Sequence, residues 1–186
     1  MKTALLIIDI QNDYFPNGNM ELEGSIQAAS AAARLLAQFR KEHWPVYHVQ
    51  HISTRPGNTF LLPDTRGSEI HNYVKPLPGE TVIIKHYPNS FKETELHERL
   101  TAEGIGTLLV CGMMSHMCVD ATVRAAFDLG LNIILAHDAC ATKELSFNGV
   151  TVPAKYAHAS FMSALGSVYA RAMAVDDILK NIVAEE

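Results

Sequence analysis

Cysteine is scarce here, with only three in 186 residues. An odd, sparse set of Cys111, Cys118 and Cys140 excludes a disulfide framework and suits a reducing compartment. No apolar run approaches the roughly 18–20 residues needed to cross a bilayer. The first residues, Met1-Lys2-Thr3, lead straight into Ala4-Leu5-Leu6-Ile7-Ile8-Asp9, without the longer apolar stretch and small-residue cleavage site of a secretory leader. A cytoplasmic location is therefore expected. Basic residues are outnumbered, 15 to 20, giving a formal charge of −5 that disfavours nucleic acid or an anionic membrane as partner. Repeats, low-complexity tracts and charge blocks are all missing, so a single domain over residues 1–186 is the economical reading.

What is present is an alternation of short apolar runs with helical patterns, the signature of an α/β protein with a parallel sheet. Strands are expected at Thr3–Asp9, Val46–His51, Thr81–Lys85, Gly106–Cys111, Asn132–His137 and Val168–Met173. Helices are expected from an N-cap at Ser25 to about Glu42, and over Thr94–Glu103, Cys118–Leu129, Pro153–Leu165 and Val175–Val183. The first strand is apolar throughout, as in strands covered by helices on both faces. Residues 52–79, rich in Pro and Gly, form a loop long enough to suggest a place beside a substrate.

Ligands in open parallel sheets bind outside the carboxyl ends of the strands. Asp9 ends the first expected strand, Lys85 the third, and Cys118 opens the helix after the fourth. A thiol at a helix N-terminus is drawn toward thiolate by the macrodipole, and nearby amides can hold an oxyanion. Taken singly, each residue has a plain structural reading: a small buried cysteine, a strand-end aspartate, a snorkelling lysine. Their convergence favours chemistry. Cys111 and Cys140 lack the helix-start context and read as structural.

Several segments resemble the isochorismatase-like cysteine hydrolases, a group that includes nicotinamidases and N-carbamoylsarcosine amidohydrolases. These are Leu5-Leu6-Ile7-Ile8-Asp9-Ile10-Gln11-Asn12-Asp13, Val82-Ile83-Ile84-Lys85, the stretch from Val110-Cys111-Gly112-Met113-Met114-Ser115-His116-Met117-Cys118 through Ala126, and Asp138-Ala139-Cys140-Ala141. The resemblance implies a three-layer α/β/α sandwich with a six-stranded parallel sheet ordered 3-2-1-4-5-6 and an Asp9–Lys85–Cys118 triad. It also implies a cis peptide between Met113 and Met114, an oxyanion hole from the Met114 and Cys118 amides, and assembly as a homodimer or tetramer.

The expected reaction is hydrolysis of a small amide or related C–N bond through a Cys118 thioester, with no cofactor. Enol-ether hydrolysis and thiol redox chemistry are the alternatives, and a non-catalytic scaffold is disfavoured by the intact triad. Nicotinamidases hold a metal through an Asp-x-His pair and a further histidine. Here the stretch reads His48-Val49-Gln50-His51, so no metal is expected, although His48, His51 and His71 are imidazoles that suit zinc. Phe15, His51, Phe60, Phe91 and Phe147 are candidate pocket walls, each equally readable as packing. His116 is given no catalytic role.

Overall fold

The computed structural model describes residues 2–184. Its frame is a six-stranded, all-parallel sheet: β1 (Lys2–Ile8), β2 (Val46–His51), β3 (Thr81–Lys85), β4 (Ile105–Met113), β5 (Asn132–Ala141) and, after a hairpin, β8 (Arg171–Met173). The spatial order is β3-β2-β1-β4-β5-β8, the expected order with β8 in the sixth place. Residues alternate across β1. Leu5 and Ile7 join one apolar cluster with Ala28, Ala29, Ala32, Leu35, Leu36 and Phe39 of α1 (Ser25–Lys41) and Val175 and Ile178 of α5 (Val175–Ala184). Ala4, Leu6 and Ile8 join the other, with residues of α2 (Leu96–Ala102), α3 (Asp120–Asp128) and α4 (Ala154–Val168). Both faces of the sheet are thus covered, which is why the strand reads as unbroken hydrophobicity. No helix among the described residues is long and apolar enough to cross a membrane.

Four expectations are corrected. Ser25 is the first residue of α1 rather than its cap: Gly24, at φ 76°, holds the cap position in a left-handed conformation that glycine adopts without strain. Cys118 does not open an α-helix, because Ser115–Val119 form one turn of π-helix and α3 begins at Asp120. β5 runs four residues further than expected, with an irregularity after Val110 that lets Cys140 and Ala141 pair with Gly112 and Met113. Finally, β6 (Leu145–Phe147) and β7 (Val150–Val152) make an antiparallel hairpin where only loop was expected. Its turn, Asn148-Gly149, has positive φ at both residues, as a tight two-residue hairpin requires.

Candidate active site

The chain turns one way from β1 to β2 and the other way from β1 to β4, so the crevice outside their carboxyl ends lies at the topological switch point. The ends of four neighbouring strands deliver polar groups there. Asp9 follows β1 with φ 50°, a bend that ends the strand while its amide still donates to the Val49 carbonyl at 3.0 Å. His51 and Lys85 are the last residues of β2 and β3 and stand opposite each other in the ladder. Cys118 comes from the π-turn after β4, where the Met114 carbonyl accepts from the amides of Met117 (3.0 Å) and Val119 (3.2 Å). Single π-turns recur at functional sites because they re-aim one side chain. The peptide bond between Met113 and Met114 is cis.

Gly112 makes this junction possible. At φ 137° it passes so close to β1 that a Cβ would stand 2.0 Å from the Ile8 carbonyl oxygen, next to Asp9. No other residue fits there.

The Lys85 ammonium is 2.7 Å from Asp9 Oδ2, and both side chains are fully buried. It also donates to the Tyr87 carbonyl at 3.0 Å and lies 3.1 Å from His51 Nδ1. Burial opposes its charge, but the Asp9 carboxylate and Cys118 outweigh that and hold Lys85 above the ordinary lysine range. With an ammonium facing Nδ1, His51 must accept there. Its pKa falls to about 4 through burial and then through Lys85, so the ring is neutral and carries its proton on Nε2. The Gln11 side chain holds the His51 backbone in place: its oxygen accepts from the His51 amide at 2.8 Å, and its nitrogen donates to the His51 carbonyl at 2.8 Å and to the Ser68 carbonyl at 2.7 Å.

Cys118 is buried and within hydrogen-bonding reach of both Asp9 and Lys85. Burial first, and the Asp9 carboxylate second, push its thiol pKa up, against the pull of Lys85. The thiolate expected from a helix start is therefore not the resting state; the surroundings favour a neutral thiol. Among the described residues, neither Asp9 oxygen receives a hydrogen bond of good geometry. The ion pair leaves that carboxylate able to accept a proton. Its buried charge is compensated by the Lys85 ammonium rather than by a set of hydrogen bonds.

Tyr14 was not anticipated. It is 1% exposed, and its pKa is raised by burial and then by the charges of Cys118 and Asp9. The sequence did hold a signal for its neighbours. Asp9, Gln11 and Asp13 alternate directly after a buried strand, and all three are buried. Asp13 accepts from the amides of Asn19 (3.1 Å) and Leu61 (2.6 Å), clasping the loop on which Phe60 lies tilted against Tyr14.

The other candidate walls are used differently. Phe15 is stacked on His71 at 3.6 Å between ring centroids, inside the first core cluster. Phe91 packs against the second cluster, edge-on to His97. Phe147 is 85% exposed on the hairpin. The three histidines do not converge either. His48 is buried against Glu80 at 2.9 Å, His71 is stacked between Phe15 and Tyr73, and Gln50 donates to the Ser68 carbonyl. These residues do not fit a nicotinamidase-type metal.

A family model for the isochorismatase domain matches residues 3–151. The chain belongs to the isochorismatase family. An uncharacterised isochorismatase family protein, YddQ, from Bacillus subtilis is 52% identical over 180 residues, covering 97% of this chain and all of the relative. A crystal structure assigned to the isochorismatase hydrolases, from Oleispira antarctica, superposes with a TM-score of 0.92 at 47% identity, over 96% of each chain. Streptothricin hydrolase from Streptomyces noursei is 37% identical over 142 residues, 76% of this chain and 50% of that one. The family member described here is thus a hydrolase of the isochorismatase family, on an α/β sandwich shared with its solved relatives.

Proposed function

We propose that this hydrolase cleaves a small amide or related C–N bond through a covalent thioester on Cys118. The observation that carries the reading is the buried Asp9–Lys85 ion pair set against the Cys118 thiol, with the thiol within reach of the carboxylate that would take its proton. An amide poses two difficulties, a poor electrophile and a poor leaving group, and this arrangement answers both.

Asp9 takes the thiol proton as the sulfur attacks the carbonyl carbon, so negative charge forms only when substrate is in place. Lys85 keeps the site electrically balanced as that proton moves. The carbonyl oxygen becomes an oxyanion, which the Met114 and Cys118 amides receive. Asp9 hands the proton to the nitrogen, the C–N bond breaks, and amine or ammonia departs. Asp9 then accepts a proton from water, whose oxygen attacks the thioester; the carboxylic acid leaves and the proton returns to sulfur. His51, neutral beside Lys85, is assigned a donor role toward substrate through its Nε2–H, and Phe60 with the Tyr14 it packs on is assigned to the pocket wall. Operation in a reducing compartment, as a homo-oligomer, belongs to the same reading; light scattering tests the assembly.

The experiment is amine or ammonia release from a panel of small amides, ureas and N-carbamoyl compounds. Cys118→Ala should lower turnover by about 10⁴-fold or more. Mass spectrometry of quenched wild type should find the acyl group on Cys118. An activity that survives Cys118→Ala sinks the thioester, and release of pyruvate from an enol ether with no amide turnover replaces the substrate class.

A further inference from the structure

Ser115 follows Met114 directly and opens the π-turn that carries Cys118. It is fully buried, and its hydroxyl oxygen lies 2.9 Å from His158 Nδ1 on α4. A serine beside an imidazole can be a nucleophile with its base, but a hydroxyl without exposure meets no substrate. The pair has another use. Burial first, and His137 next, lower the His158 pKa, so the ring is neutral near pH 7 and has one N–H. A hydrogen bond to the His137 backbone uses that N–H. Nδ1 is then the acceptor and the Ser115 hydroxyl the donor.

The next residue is tied as well. His116 Nδ1 is 2.5 Å from Thr142 Oγ1, and Thr142 is buried just past the end of β5. Consecutive side chains thus moor the π-turn to α4 on one side and to the end of β5 on the other. Within the turn, the Met117 and Val119 amides both donate to one carbonyl, that of Met114. A single π-turn is a rare local geometry, so ties from outside decide how it presents its groups. Ser115 stands between the two amides assigned to the oxyanion, directly after Met114 and three residues before Cys118.

We infer that His158 is a positioning residue: through Ser115 it holds the π-turn at the spacing where the Cys118 sulfur attacks and the Met114 and Cys118 amides receive the oxygen. The inference rests on the thioester reading of the same site. A displaced amide weakens binding of the transition state more than binding of the substrate, so the effect falls on kcat rather than KM.

The test has two readouts, both on the whole protein. In the first, ¹³C-labelled acetaldehyde is added to reduced protein. The Cys118 sulfur adds to the aldehyde carbon, the thiol proton passes to the oxygen and nothing leaves, so ¹³C NMR reports the thiohemiacetal directly. Cys118→Ala is the blank. His158→Leu and Ser115→Ala should weaken the adduct by about tenfold or more. His158→Asn, whose Oδ1 can accept near the place of Nδ1, should recover most of it. The second readout is turnover of any amide the panel identifies. There His158→Leu should lower kcat by about a hundredfold with KM within about twofold. The double variant Ser115→Ala/His158→Leu should be no worse than the more damaged single variant, because one interaction is lost in each. Circular dichroism verifies folding, and Ser115→Ala carries the test should His158→Leu fail to fold. No adduct in wild type, an adduct and kcat unaltered by loss of the pair, an equal loss in His158→Asn, or a loss confined to KM overturns the inference. An adduct that depends on His158, together with no amide turnover, fails the substrate class and sustains the positioning role.

Discussion

Two clusters of buried or half-buried charge sit at opposite ends of β2 and β3, and they are built on opposite principles. Near the start of β3, Glu80 accepts a two-pronged hydrogen bond from Arg40 (2.7 and 2.8 Å), another from the Leu77 amide (2.8 Å) and a contact from His48 Nε2 (2.9 Å). At the far end, Asp9 has an ammonium at 2.7 Å and no hydrogen bond of good geometry. A carboxylate whose lone pairs are all used can only hold the fold together. One held chiefly by a single ammonium can still accept a proton. The Glu80 carboxylate closes the loop before β3 onto α1, although the buried His48 Nδ1 beside it has no hydrogen-bond partner, and the Asp9 carboxylate faces Cys118.

Removing one charge from each should separate the two roles. Lys85→Met strands a fully buried carboxylate and should cost about 3–5 kcal/mol of stability as well as all hydrolysis. The double variant Asp9→Asn/Lys85→Met should regain much of that stability by denaturant melt while staying inactive, because a neutral pair no longer needs compensation. Glu80→Ala should cost about 1–3 kcal/mol and leave turnover per folded molecule unchanged. If Glu80→Ala lowered turnover while the double variant stayed as unstable as Lys85→Met, the division between holding and reacting would collapse.

Acid separates the same clusters more gently. His51 drops from an ordinary 6.5 to about 4 through burial and then Lys85, so between those values the unfolded chain binds a proton that the folded one refuses. Its contribution to stability is complete above about pH 6.5 and is lost as pH falls toward 4. His48, lowered first by burial, acts in the same direction. Burial alone would raise Glu80, but Arg40, the Leu77 amide and His48 bring it from 4.5 to about 2, so its contribution is complete above about pH 4.5 and is lost toward pH 2. Urea melts across pH should show both windows. His51→Asn should flatten the upper one and Glu80→Gln the lower one; a single window lost in both variants would mean that the clusters titrate together.

How much of this could be read from the chain depends on how local each feature is. β1 to β4 were found to within a residue or two because strands covered on both faces carry continuous apolar runs. β8 was placed too early, since Arg171 and Ala172 are exposed and give no pattern. The hairpin had a local signal in Asn148-Gly149, but three-residue strands are too short to show alternation. That Asp9, Lys85 and Cys118 gather at the carboxyl ends of the strands was legible from their places at the ends of apolar runs. Gln11 was not, because its partners His51 and Ser68 lie 40 and 57 residues away. The π-turn was hidden as well: its residues also suit an α-helix, and only the tertiary setting of the Met114 carbonyl distinguishes the two.

The smallest effect expected is at the hairpin, where Phe147 stands 85% exposed. Phe147 was a candidate pocket wall, and it contrasts with Phe60, which leans on Tyr14. An exposed side chain with little packing should tolerate replacement, so Phe147→Ser should change stability by less than about 0.5 kcal/mol and leave KM unchanged. Phe60→Ser, by comparison, should raise KM. A rise in KM for Phe147→Ser would mean that the hairpin closes over a crevice when substrate is bound. Light scattering then identifies which crevice: a lower mass for the variant points to that of a second copy, and an unchanged mass to its own.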